Sequence, residues 1–260
     1  MAGFVEPIKA AFGAYMARFH AQLIADTPSM VEFSARKLSE SVVWAPGRMI
    51  DQVEDMLSTW RKNDTSQQAQ ARTRLPVMIA AMSKDFMPAP TDYVRGLSDA
   101  FLPVTIPGDA KNRVFYMRGV VADIRTQVAI FAPEEGTARS LAMQLHLFAS
   151  ALPNRRFYST YTLAGVPDKW PVVLELPDLN AVASPTDVKN LTIMTVDIQL
   201  RATVPMLVKP APGSVYADGK GTGTDADPDG FLVVNEVDGA FWERAIGLGA
   251  PATTFSIPSP

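Results

Sequence analysis

The chain has 260 residues, 47% hydrophobic and 20% charged, with a formal net charge of −3. That balance supports a packed core, and a cysteine count of zero excludes disulfides, thiolate nucleophiles and cysteine-based zinc sites. The mild negative charge argues against a general nucleic-acid binder. No uninterrupted apolar run reaches the roughly 20 residues of a membrane-spanning helix, and Glu6-Pro7 does not read as part of a secretory signal.

Residues 4–24 predict a helix, with Ile8, Phe12, Tyr15, Met16, Phe19 and Leu23 on one stripe; Thr27-Pro28 ends it. Its stripe reads as core or interface, and because it is detached from the strands it is the better interface candidate. Met30, Glu32 and Ser34 alternate with Val31, Phe33 and Ala35, the pattern of a short strand. Pro46 opens a second helix, whose apolar face is Met49, Ile50, Val53, Met56, Leu57 and Trp60. From 72 to 86 the run Leu75, Val77, Ile79, Ala81 against Pro76, Met78, Ala80, Met82 predicts a strand buried on both faces. Pro76 lacks a donor, so its end should be an edge or a strand start. Residues 87–113 are a Pro- and Gly-rich excursion.

Residues 114–152 form the organising unit. Val120, Ala122, Ile124, Thr126, Val128 and Ile130 point one way, and Val121, Asp123, Arg125, Gln127, Ala129 and Phe131 the other. This is a strand with one buried and one mostly polar face. Pro133 suits a first helical turn, and Glu134 and Glu135 suit the positive end of a helix dipole. Ala138, Leu141, Ala142, Leu145, Ala149 and Leu152, with Phe148, mark the apolar face of a helix that stops at Pro153. Strands follow over 156–163 and 171–176, then a turn-rich connection over 177–189. A long strand over 191–207 sets Met194, Val196, Ile198, Leu200, Ala202 and Val204 against Thr195, Asp197, Gln199, Arg201 and Thr203. If it pairs antiparallel with 120–131, Asp123 meets Arg201 and Arg125 meets Asp197.

The fold class this predicts is α+β: a central mixed or antiparallel sheet with a long strand–helix unit and an N-terminal helix, one domain over 1–208. Residues 209–260, rich in Pro, Gly and Asp, read as an extended C-terminal arm. Phe231 to Val234 and Phe241-Trp242 are apolar islands through which that arm docks on its own domain or on a neighbour.

The sharpest chemical motif lies in the arm. Asp225, Asp227, Asp229, Gly230 and Glu236 match the spacing of a helix–loop–helix calcium loop, with the Phe231 carbonyl as a further oxygen ligand. Its flanks do not fit: Gly219 to Thr224 cannot form the incoming helix, and Val233-Val234 read as extended. The alternative is a solvated acidic loop, and no cofactor is otherwise expected. His20 and His146, the only histidines, have no partner at triad or ligand spacing. Glu54-Asp55 belongs to a solvated helix face. The run from Gly219 to Gly223 lacks phosphate-loop spacing, and Arg155-Arg156 and Arg72 with Arg74 read as salt-bridging clusters at strand starts or a subunit boundary, with contact to a phosphate backbone as the alternative.

The order of elements resembles the tail-terminator and tail-sheath-stabiliser proteins of contractile-tailed bacteriophages. The matching features are the N-terminal helix followed by a short strand between Phe4 and Phe33, the helix after Pro46, and the strand from Leu75 to Ile79 followed by Lys84-Asp85-Phe86-Met87-Pro88. To these add the unit 114–152, the strand 191–207 ending Thr203-Val-Pro-Met-Leu207, and the acidic arm. The stretch 164–190 has no place in the family pattern. The resemblance implies a non-enzymatic virion protein of the neck, made in the host cytoplasm. It would form a homohexameric ring that joins tail tube and sheath to the head-side connector, and DNA would pass through without specific binding. The alternatives are another neck, collar or baseplate component and, in different classes, a calcium-binding enzyme or ligand-binding domain and a nucleic-acid-binding module, which would show salt-dependent affinity for DNA.

Overall fold

The N-terminal helix has a proline in its first turn and an apolar residue at every third or fourth position, and it folds as expected: α1 spans Glu6–Ala21. The computed structural model describes residues 5–47, 50–62, 75–85, 87–89, 102–105, 113–163, 166–175, 178–208 and 232–233. These fold as an α+β protein around a mixed sheet. After α1 come α2 (Pro28–Ala35), α3 (Leu38–Ser41), β1 (Val42–Ala45), α4 (Val53–Lys62), β2 (Val77–Met82), β3 (Met87–Pro88) and β4 (Leu102–Thr105). Then follow β5 (Arg113–Ala132), α5 (Glu135–Ser150), a 3₁₀ turn (Leu152–Asn154), β6 (Arg156–Leu163), β7 (Val166–Leu174), β8 (Ala181–Ser184), β9 (Thr192–Val208) and β10 (Leu232–Val233).

The described chain divides into two units. The first comprises residues 1–95, 121–160 and 169–204. Its strands run in the order β1-β2-β5-β9-β7-β6. β1 is parallel to β2, whereas β2 is antiparallel to β5, and β7 and β8 are antiparallel to β9. β2 is buried at every position, and Pro76 stands just ahead of it, at a strand start. α4 lays Val53, Met56 and Leu57 on Val77, Ile79, Ala129, Phe131 and Ile193, covering one sheet face. On the other face α1 and α5 pack together. Tyr15 meets Phe148 at 5.0 Å between ring centroids, and Phe12 reaches Trp44 of β1 at 5.9 Å and Phe157 of β6 at 6.5 Å. The segment between α1 and α2 is tied to α5, where the Gln144 amide exchanges two hydrogen bonds with the backbone of Ile24, at 2.9 and 2.8 Å.

Several expectations are corrected. Residues 30–35 are helical: Thr27 is an N-cap whose hydroxyl accepts the Met30 N–H, Pro28 opens the helix, and Met30 and Phe33 are buried three apart. The short strand cited for the family likeness is therefore absent there. Of the two readings of the α1 stripe, core or interface, burial shows core: Ile8, Phe12, Tyr15, Met16 and Phe19 are all buried, and Phe12, Tyr15 and Phe19 meet other aromatic rings. Pro133 precedes the N-cap residue Glu134 and lies outside the first turn of α5. Leu152 is exposed in the 3₁₀ turn. The connection 177–189 carries a strand, β8, paired to β9. The second face of β5 is polar but not open, since Asp123 and Gln127 are buried.

The second unit comprises residues 96–120, 161–168 and 205–260. The start of β5 pairs antiparallel with β4 (Leu102 with Met117, Thr105 with Val114) and with β10 (Leu232 with Val114, Val233 with Arg113). Val114 is a partner of both Thr105 and Leu232, so β4 and β10 lie on opposite sides of β5.

Candidate functional site

The alternation of β5 sends Asp123, Arg125 and Gln127 to one face, and the alternation of β9 sends Asp197, Gln199 and Arg201 to the same face. β5 and β9 are neighbours, and their contacts run in opposite order, as in an antiparallel pair. Both pairs read from the sequence are present. The Arg201 guanidinium donates through Nε and Nη2 to the two carboxylate oxygens of Asp123, at 2.8 and 2.9 Å. Arg125 donates through Nη2 to Asp197 at 3.0 and 3.1 Å.

Tertiary structure adds four more members. Asp51, just ahead of α4 and in the left-handed region at φ 68°, takes a bidentate pair from Arg125 at 2.8 and 2.9 Å. Its N–H donates to Gln127 Oε1 at 2.9 Å, while the Gln127 amide donates to Asp51 and Asp197 at 3.3 and 3.1 Å. Glu175, at the end of β7, lies 2.8 Å from Arg201 Nη1, and its own N–H bonds the Gln199 carbonyl at 2.9 Å. Gln199 completes the lattice on Asp123 at 3.3 Å.

The lattice has two tiers. Asp123 and Arg201 are 5% and 8% exposed, so their pairing is desolvated. Asp51, Arg125 and Asp197 are at the surface, with side chains 64%, 37% and 55% exposed. Hydrogen bonding from Arg125 holds the Asp51 carboxyl below its ordinary range, and the bonds to Asp51 and then Asp197 hold Arg125 firmly protonated. Four carboxylates share two guanidiniums, which leaves a net negative surface whose carboxylates are already filled with N–H donors. At the surface, Asp51 and Asp197 are held in place by Arg125 and Gln127 as fixed charges.

No protein-family model and no curated protein matches this chain.

Asp225, Asp227, Asp229 and Glu236, the calcium candidates, lie outside the described residues. Leu232 and Val233, which fall inside that motif, are in a strand, in keeping with an extended flank. His20 is a structural group. Its Nε2 stands 3.1 Å from the Phe33 carbonyl, which also accepts the Ser41 hydroxyl at 3.1 Å, so the end of α2 is satisfied. A carbonyl only accepts, so Nε2 carries the proton. Arg155 donates to the Ser150 carbonyl at the end of α5, at 3.0 Å.

His146 has a partner that spacing did not reveal: its Nδ1 accepts the Leu179 N–H at 3.2 Å. It stands in an open cleft of about 560 Å³, lined among others by Arg139, Met143, Leu179, Asn180 and Met194. Arg139 is engaged there by Glu135 one helical turn away, at 2.6 Å.

Proposed function

We propose that this chain is a ring-forming structural subunit of the neck of a contractile phage tail, a tail terminator or sheath stabiliser. The observation that carries the reading is the lattice: a fixed, net negative surface on a sheet whose apolar faces are already packed. Such a surface suits a wall past which DNA slides, because phosphate binding depends on unpaired lysine and arginine, and here the two arginines are neutralised. The order of elements is the second support, apart from the strand now found to be α2.

Ring closure follows if one edge of each subunit meets a different edge of the next at the correct rotation. The test is the mass of the purified protein by light scattering, with negative-stain imaging of the same sample, followed by addition of tail tubes or sheaths. Rings of about six subunits, or capped tail ends, are the expected results. A monomer that leaves tail ends bare counts against the reading.

A ligand-binding role is the rival favoured by a specific observation, the cleft beside His146. Saturable binding of a small molecule that is lost in His146→Ala would favour it.

A further inference from the structure

β10 consists of two residues, and a strand that short has no stability of its own. It lies on the free side of the first residues of β5, opposite β4. The chain between the end of β9 and β10, residues 209–231, is 23 residues long, with five glycines and three prolines. Fully extended, a segment of that length spans roughly 80 Å. The cost of closing a loop grows only with the logarithm of its length, so a tether this long favours its own edge little over an identical edge nearby. The charges flanking the two partners are complementary in sequence. Asp229 and Glu236 bracket the donor Leu232-Val233, whereas Lys111 and Arg113 stand at the acceptor.

We propose that Leu232-Val233 is an exchanged strand: in the assembled protein it pairs with Arg113-Val114 of a second copy, in the register seen here within one chain. Exchange of an identical element preserves every contact of the closed form and links the copies at low cost. The proposal rests on the ring reading above and gives that ring its clasp. A heterologous exchange passes each arm to the next subunit and closes the circle.

The chain has no cysteine, so a disulfide reports the pairing without background. Val233 and Arg113 are register partners, and opposed residues in an antiparallel pair have Cα atoms about 4.5–5.5 Å apart, within disulfide range. Chains carrying Arg113→Cys and chains carrying Val233→Cys are mixed, assembled and oxidised, and run on a non-reducing gel. A bonded species at twice the 28.2 kDa chain mass is expected. The double variant Arg113→Cys/Val233→Cys should give a ladder of linked chains. Absence of the mixed dimer, or a double variant bonded only within its own chain, overturns the exchange. Light scattering on the same samples, with tail tubes added where no ring forms, separates the two claims: rings with bonds only inside chains leave the ring and remove the exchange, and chains that neither form rings nor cap tails remove the ring reading itself.

Discussion

Replacing Arg201 by methionine removes the buried tier of the lattice at its centre. The guanidinium donates twice to Asp123, at 2.8 and 2.9 Å, and lies 2.8 Å from Glu175. Methionine keeps most of the apolar stem and returns none of these contacts. Asp123, 5% exposed, is then left with the Gln199 amide at 3.3 Å. Removing one partner of a buried ion pair costs about 3–5 kcal/mol, because the other charge stays desolvated. In a domain of this size 1 kcal/mol moves Tm by about 2–4 °C, so the drop should be roughly 6–20 °C. Circular dichroism melts at pH 7 and fixed protein concentration measure it. Two companions sharpen the reasoning. Arg125→Met, on the same face but 37% exposed, should cost about 1 kcal/mol or less. Asp123→Leu/Arg201→Met, which removes both buried charges, should be far less damaging than the single change. If Arg201→Met and Arg125→Met melt alike, or if the double variant is as poor as the sum of its singles, burial is not what governs this pair.

The Tyr15 hydroxyl and Thr126 Oγ1 are buried with no hydrogen-bond partner among the described residues. Tyr15→Phe and Thr126→Val should therefore each raise stability by about 1 kcal/mol in urea titrations; a loss in either would reveal a partner for that hydroxyl. Leu145→Asp places a charge on a fully buried position of α5 and should leave no folded protein, by the absence of dispersed amide signals in NMR spectra. Asp51 has its carboxyl held down by Arg125, so its contribution to stability is complete above the unfolded value near 3.9 and is lost as pH falls through the lower folded value. Asp51→Asn should thus melt earlier than the parent at pH 6, and the gap should narrow as the pH is lowered below the unfolded value; a constant gap through that descent would contradict the assignment.

Much of the fold was legible because local periodicity carries it. The alternations in β5, β6 and β9 and the helical spacing in α5 are properties of the chain itself, and so is the double-sided apolar run of β2. Even the Asp123–Arg201 and Arg125–Asp197 pairs followed from two matched alternations and one assumption about direction. In the segment 30–35 the alternation was too short to choose between periods, and the Thr27-Pro28 cap decided for helix.

Tertiary structure alone decided the rest. Asp51 and Glu175 join the lattice from a loop and a strand end, where no period announces them. The stripe of α1 was plain in the sequence, but its burial depends on Trp44, Phe148 and Phe157 arriving from three other elements. His146 takes its partner from Leu179, 33 residues away. A sequence determines which way each side chain points along its own element; which charges lose their water, and which apolar faces find cover, depends on contacts that close only when distant segments meet.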